Sequence, residues 1–150
     1  MTGTPDDVVD PSTGWVARHV RRYVETDGAK GHVFYGAPAL LLTTRGRKSG
    51  NLRRTALYYG EDGDRFVVVA SNGGAARHPL WYLNILDDPE VHVQVGAEHH
   101  DGRARPATAE ERPRLWALMT SVYRTYDNYQ RKTRREIPVV VIDVERDVDA

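Results

Sequence analysis

The 150-residue sequence has no cysteine. A disulfide framework, thiolate catalysis and cysteine-ligated metals are therefore excluded. It also has no net charge, because 21 basic side chains balance 21 acidic ones. A general nucleic-acid binder carries a positive excess, so that class is disfavoured. Lysine is scarce: 18 of the basic residues are arginine and three are lysine, which singles out Lys48. No apolar run reaches the ~20 residues of a membrane-spanning helix, and the first residues hold no signal-peptide core. A soluble, cytoplasmic protein is the expectation. Several catalytic patterns are missing too. No G-x-G-x-x-G follows a first strand, which disfavours a Rossmann domain. No serine sits in a G-x-S-x-G elbow, so a hydrolytic triad is not indicated. His99 and His100 are adjacent and expected in a turn beside Asp101. Neighbouring residues on a strand face opposite ways, so no metal site is expected there. Glu61, Asp62, Asp64, Asp87 and Asp88 read as turn and cap residues, not as a catalytic carboxylate pair.

What is present centres on residues 43–54. Apolar, strand-like segments flank a loop with five cations (Arg45, Arg47, Lys48, Arg53, Arg54), two glycines (Gly46, Gly50) and the hydroxyl of Ser49. Glycines allow a loop to aim its amides at one point, and cations with a hydroxyl beside them suit a phosphate. A solvated hairpin turn explains the same residues, and both readings stay open.

Residues 1–12 are polar with two prolines and read as a flexible segment. The rest, 13–150, reads as one domain. Residues 14–26 have helical periodicity, with Val16, Val20, Tyr23 and Val24 on one face. Trp15 at its start either packs or meets a membrane surface. Strands are expected at 39–45, 53–60 and 65–71, joined by short links and so arranged as an antiparallel meander. Residues 61–64, with an Asp-Gly step, form the second link. Pro79 opens a helix too apolar to be exposed, which should pack across the sheet. Alternating Val91, Val93 and Val95 mark a half-buried strand, with its hairpin partner at 101–107. Thr108 and Glu111 have capping-box spacing and open a helix through Leu115, Leu118, Met119 and Val122. Tyr123, Tyr126 and Tyr129 lie on or just past its end. Residues 139–142 are a buried strand. The sum is mainly β with flanking helices, about six mostly antiparallel strands closing into a small barrel.

The second glycine-bearing loop, 71–79, follows a strand as the first one does. It contains His78, for which a local backbone hydrogen bond is the plain reading. Tyr58, Tyr59, Trp81, Tyr82 and the tyrosines at 123, 126 and 129 supply aromatic surface. Amides, cations and stacking area together suit a planar cofactor with a phosphate tail. For the three late tyrosines a core-facing helix side and a half-wet pocket wall are both open.

Gly46-Arg47-Lys48-Ser49-Gly50-Asn51-Leu52-Arg53 resembles the G-R-K-[ST]-G-x-x-R signature of the deazaflavin (F420)-dependent nitroreductase and F420H2-dependent quinone reductase family. Ser71-Asn72-Gly73-Gly74-Ala75 with Pro79-Leu80-Trp81-Tyr82-Leu83-Asn84 is similar to its second motif. The likeness runs in order over residues 35–144. It implies a split β-barrel of the FMN-binding type and coenzyme F420, reduced, as hydride donor. The implied acceptor is a quinone, with nitroaromatic compounds reduced incidentally. It further implies that Arg47, Lys48, Ser49 and Arg53 hold the phosphate. The amides from Ala70 through Ser71, Asn72, Gly73 and Gly74 to Ala75 would run beside the ring, and Pro79, Leu80 and Trp81 would pack on the coenzyme. Tyr58, Ser71, Tyr123, Tyr126 and Tyr129 would line the acceptor pocket, with Ser71, Tyr126 or Tyr58 stabilising charge on the acceptor. Asn72 stands where some relatives have lysine. An FMN-binding split-barrel oxidoreductase and a non-catalytic deazaflavin carrier are the alternatives. Peripheral membrane association and a homodimer are left open.

Overall fold

The computed structural model describes residues 8–10 and 14–145. Its strands are β1 (Val8–Val9), β2 (Val33–Phe34), β3 (Ala37–Arg45), β4 (Leu52–Tyr58), β5 (Gly60–Asp62), β6 (Arg65–Val69), β7 (Glu90–Val95), β8 (Glu98–Pro106) and β9 (Val139–Val144). The helices are α1 (Gly14–Glu25), α2 (Leu80–Asp87), α3 (Arg112–Val122) and α4 (Thr125–Lys132). None is long and apolar enough to cross a membrane.

The strands make one sheet in the order β1-β4-β3-β7-β8-β9-β6-β5, with β2 added to β3. Side-chain alternation explains why its central strands read as unbroken apolar runs. Along β3, Leu40 and Leu42 enter the inner core while Leu41 turns outward to Val20 and Tyr23 of α1. Along β6 and β9, Val68, Val140 and Ile142 face inward. Val67, Val69, Val139 and Val141 face out, against Leu115 and Met119 of α3 and Tyr126 of α4. Each such side chain taken fully from water contributes about 1.5–3 kcal/mol. Tyr23 ties α1 to the sheet as well: its hydroxyl accepts the Gly96 N–H at 2.6 Å and donates to the Ala39 carbonyl at 3.1 Å.

Several sequence expectations are corrected. Among the described residues there are nine strands, not six. Three of them span only two or three residues, too few to carry a periodic pattern. The expected meander breaks after β4: β6 pairs with β5 and β9 instead. The sheet does not close into a barrel by backbone pairing, because no ladder joins β4 to β6. Residues 8–10, expected to be loose, are tied down. Val8 and Val9 pair in parallel with Leu52 and Arg53, and Asp10 forms a two-pronged ion pair with Arg54 at 2.6 and 2.7 Å. The remainder of the expected flexible segment lies outside the described residues. His99 and His100 belong to β8 rather than to a turn. Tyr126 and Tyr129 occupy a separate helix, α4, while Tyr123 caps the end of α3 in extended backbone. The capping box forms as expected: Thr108 N–H meets Glu111 Oε1 at 2.9 Å, and Glu111 N–H meets Thr108 Oγ1 at 3.2 Å.

Candidate functional site

The β3–β4 ladder ends at Arg45 and Leu52, and the basic loop caps it. Its shape is held from within. Gly46 N–H donates to the Asn51 carbonyl at 2.7 Å, Gly50 N–H to the Gly46 carbonyl at 2.8 Å, and Asn51 N–H to Ser49 Oγ at 3.1 Å. Of the five cations, two are committed to structure. Arg45 donates to the Gly50 carbonyl at 2.7 Å. Arg54, only 8% exposed, points to the other face and pairs with Asp10. Strand alternation separates Arg53 from Arg54. Arg47, Lys48, Ser49 and Arg53 remain on the solvent side of the loop.

The second loop connects β6 to α2. Asn72, Gly73 and Gly74 have φ of 47°, 63° and 80°, three successive left-handed residues that two glycines make affordable. Arg135, from the segment before β9, fastens the loop. It donates to the carbonyls of Ser71 (2.6 Å), Ala75 (2.8 Å) and Ala70 (3.3 Å), and to Nδ1 of His78 (3.1 Å). His78 is therefore neutral at Nδ1, and desolvation together with the Arg135 charge lowers its pKa. Lys132 of α4 donates to the Gly73 carbonyl at 3.2 Å. The amides of Ala70, Gly74 and Ala75 are spent inside the protein, on the carbonyls of Pro138, Ser71 and Asn72. Ala70 is fully buried besides, and the Asn72 side chain donates to the Arg77 carbonyl at 3.0 Å. The expectation that amides along the whole stretch face a ligand thus narrows to Ser71, Asn72 and Gly73.

A cavity of about 500 Å³ opens at the split between β4 and β6. It brings together Tyr58, Ser71, Gly73, Tyr123, Tyr126 and Tyr129. The tyrosines form one group: Tyr58 and Tyr123 ring centres are 4.8 Å apart, Tyr123 and Tyr126 5.0 Å, and the Tyr123 and Tyr129 hydroxyls 3.4 Å. Burial pushes the Tyr126 pKa far up, and the bond to Tyr123 with burial pushes Tyr129 up to about 12. Both stay protonated hydrogen-bond donors at neutral pH. Pro79, Leu80 and Trp81 do not line this cavity, nor do the four basic-loop residues. Pro79 precedes α2, Leu80 is 71% exposed, and Trp81 packs on the inner core.

α2 joins the two loops. It follows directly on the second, and its buried Asn84 reaches the first: Oδ1 accepts the Arg47 N–H at 3.1 Å, and Nδ2 donates to Thr44 Oγ1 at 3.1 Å. Sequence reasoning assigned no role to Asn84 or Arg135, since their partners are remote in the chain. It also missed four further residues of the cavity lining, Trp15, His19, Phe34 and Tyr35. Trp15 stacks on Phe34 at 5.7 Å, and the helical period of α1 was the one signal available for these residues. Among the described residues, no group of three or more His, Asp or Glu is placed to hold a metal ion.

Comparison with known proteins places this geometry in context. Residues 15–144 match the family model described as F420H(2)-dependent quinone reductase. The chain is 39% identical over 141 residues to the F420H(2)-dependent quinone reductase of Mycobacterium tuberculosis (strain ATCC 25618 / H37Rv), covering 85% of this chain and 95% of that one. A solved structure described as a domain-swapped dimer is 40% identical, with a TM-score of 0.68 over 86% of this chain and 97% of that one. The structure of an F420-H2 dependent reductase, FDR-A, is 41% identical, with a TM-score of 0.66 over 71% of this chain and 94% of that one. With a cation-bearing loop, a glycine-bearing loop and an aromatic cavity already in place, the chain belongs to the family of F420H(2)-dependent quinone reductases, oxidoreductases whose reductant is reduced coenzyme F420.

Proposed function

We propose that this chain passes hydride from reduced F420 to a quinone, or to another activated acceptor such as a nitroaromatic compound, held in the tyrosine-lined cavity. The observation that carries this reading is the cavity itself, about 500 Å³ and lined by Tyr58 of β4, Ser71 and Gly73 of the glycine-bearing loop, Tyr123 after α3, and Tyr126 and Tyr129 of α4. The residues present fit the coenzyme. Arg47, Lys48, Ser49 and Arg53 are solvent-facing donors suited to its phosphate. At Gly73 an added Cβ would meet nothing within 4 Å, so the loop leaves room beside the cavity for a flat ring.

The bound coenzyme supplies the hydride. The protein holds the acceptor ring among the tyrosines and excludes water around it. As an acceptor oxygen gains negative charge, a neutral hydroxyl within reach stabilises it. Tyr126 is our first choice for that donor, with Ser71 and Tyr58 beside it. We read the open sheet as a split barrel whose gap is the acceptor site. The domain-swapped relative supports a homodimer for this chain as well.

Titration of the purified protein with F420 and, in parallel, FMN tests the reading, followed by mixing with F420H2 and menadione. Binding of F420 with oxidation of F420H2 by menadione is expected. Tight FMN binding without F420 binding would favour the flavin alternative. F420 binding without turnover on any quinone or nitroaromatic would favour a carrier.

A further inference from the structure

The β2–β3 hairpin carries a tyrosine that neither the fold nor the proposed reaction accounts for. Phe34 pairs with Ala37, so the connecting turn is the two residues Tyr35 and Gly36. Both are left-handed, with φ of 50° and 80°, as a two-residue hairpin turn of the mirror-image type demands. Gly36 takes such a backbone freely, and asparagine, aspartate or glycine is the usual residue before it. A bulky side chain at that position is strained. Among the described residues, Asp27 and Asn72 are the other non-glycine residues with positive φ, and both are of the tolerant kinds. Tyr35 is also 88% exposed, more than any other large apolar side chain described. Its ring stands edge-on to Phe34, with ring centres 4.5 Å apart, and Phe34 in turn lies 6.4 Å from Tyr58. All three residues line the cavity.

The turn thus combines a strained backbone with an aromatic ring held in water, and an Asn-Gly turn would have neither. Strain of this kind clusters where a residue serves a ligand. We infer, on the reading that the cavity takes the acceptor ring, that Tyr35 is a specificity-determining residue whose ring closes against the outer part of an acceptor with two or more fused rings. A cavity of about 500 Å³ has the capacity for a drug-sized molecule, more than one six-membered ring occupies. Tyr126, 5% exposed, marks its inner end, and Tyr35 stands at its mouth. The ring that is reduced sits among the inner tyrosines. A second fused ring projects toward the mouth, where Tyr35 supplies stacking area that a single-ring acceptor does not reach. That contact adds to binding and takes no part in the chemistry, so it lowers KM and leaves kcat unchanged.

Tyr35→Asn tests this in the full chain, with Tyr35→Phe as the conservative control. The acceptors are menadione, with two fused rings, and duroquinone, with one, each at saturating F420H2. In Tyr35→Asn the KM for menadione is expected to rise roughly threefold to tenfold, the worth of one aromatic pair. The duroquinone KM, both kcat values and F420 affinity should stay within about twofold of wild type. Tyr35→Phe should match the wild type throughout. Without coenzyme, quenching of tryptophan fluorescence by menadione should show the same loss of affinity in Tyr35→Asn. Its urea midpoint should equal or exceed that of the wild type, because the turn is relieved of strain. An unchanged menadione KM, or an equal rise for both quinones, overturns the inference alone. So does a lower midpoint or a failure to fold, since the tyrosine would then serve the fold. A wild type that oxidises F420H2 with neither quinone overturns it together with the acceptor-site reading.

Discussion

Asn84 on α2 accepts the backbone N–H of Arg47 through Oδ1 at 3.1 Å, while its Nδ2 donates to Thr44 at 3.1 Å. One buried amide thus sets the position of the cation-bearing loop relative to the helix that emerges from the glycine-bearing loop. Asn84→Ala removes both bonds and leaves the buried Thr44 hydroxyl and the Arg47 amide without them. A stability loss of about 1–3 kcal/mol is expected, together with weaker F420 binding. Thermal unfolding and an F420 titration check it, and normal coenzyme affinity in the variant would show that the loops do not depend on this link.

Lys48 lies on the exposed side of the basic loop. Its removal should leave the melting temperature unchanged and weaken F420 binding by about 10- to 150-fold, the worth of one charge-assisted hydrogen bond of about 1.5–3 kcal/mol. The same substitution at Arg54 should do the reverse, because Arg54 is buried against Asp10. Equal coenzyme losses in the two variants would show that the loop is not the phosphate site.

Arg135 holds three loop carbonyls and His78 with one planar guanidinium. Arg135→Lys keeps the charge but cannot span that fork, so a loss of about 1.5–3 kcal/mol is expected despite the conservative change. The His78 contact adds a pH signature. The folded-state pKa of His78 lies below its ordinary value of 6.5, so the unfolded chain binds the proton more readily. Stability from this group is complete above 6.5 and is lost as pH falls through the folded-state value. His78→Gln should flatten the stability profile just below pH 6.5. An unchanged slope in chemical-denaturation curves would count against the half-buried neutral imidazole.

Gly73 and Gly74 have similar left-handed φ but different surroundings. A Cβ at Gly74 would fall 2.8 Å from the Tyr129 carbonyl oxygen, whereas one at Gly73 would meet nothing within 4 Å. Gly73→Ala should cost only the backbone penalty, about 1–2 kcal/mol. Gly74→Ala adds a backbone clash with α4 and should displace Tyr126 and Tyr129. Thermal melts should rank Gly74→Ala well below Gly73→Ala, and the reverse order would contradict the packing of α4 on the loop.

Tyr126 combines a buried ring with a place in the cavity lining. Tyr126→Phe should leave F420 affinity unchanged and lower kcat by about 10²–10³-fold if its hydroxyl meets the charged oxygen. Stopped-flow oxidation of F420H2 by menadione measures this, and an undiminished kcat would transfer the role to Ser71 or Tyr58.

Local chemistry made much of this legible in advance. The Thr108–Glu111 box, the valine alternation in β7 and the buried run of β9 depend on neighbours a few residues away. Tyr126 and Tyr129 likewise stand three residues apart on α4, whereas the break that leaves Tyr123 outside any helix was not legible. The residues of both loops stand close together in the chain, so their glycines, cations and hydroxyl could be named from the sequence. Short strands could not: two residues of β1 or β2 show no period, and they take strand form only because an edge is there to receive them.

The sequence by itself determined which residue types the molecule brings to its chemistry, because glycine's conformational freedom, arginine's charge and tyrosine's amphipathic ring belong to the residues themselves. Tertiary structure alone decided what each one does. It turned Arg54 away from Arg53 to face Asp10, spent three of the loop amides internally, and placed Asn84 beneath Arg47 and Arg135 across the glycine loop. It also brought His19 of α1 and Tyr126 of α4, more than a hundred positions apart, into the lining of one cavity. Such pairings are set by which faces the sheet buries, a property of the whole chain that no local stretch contains.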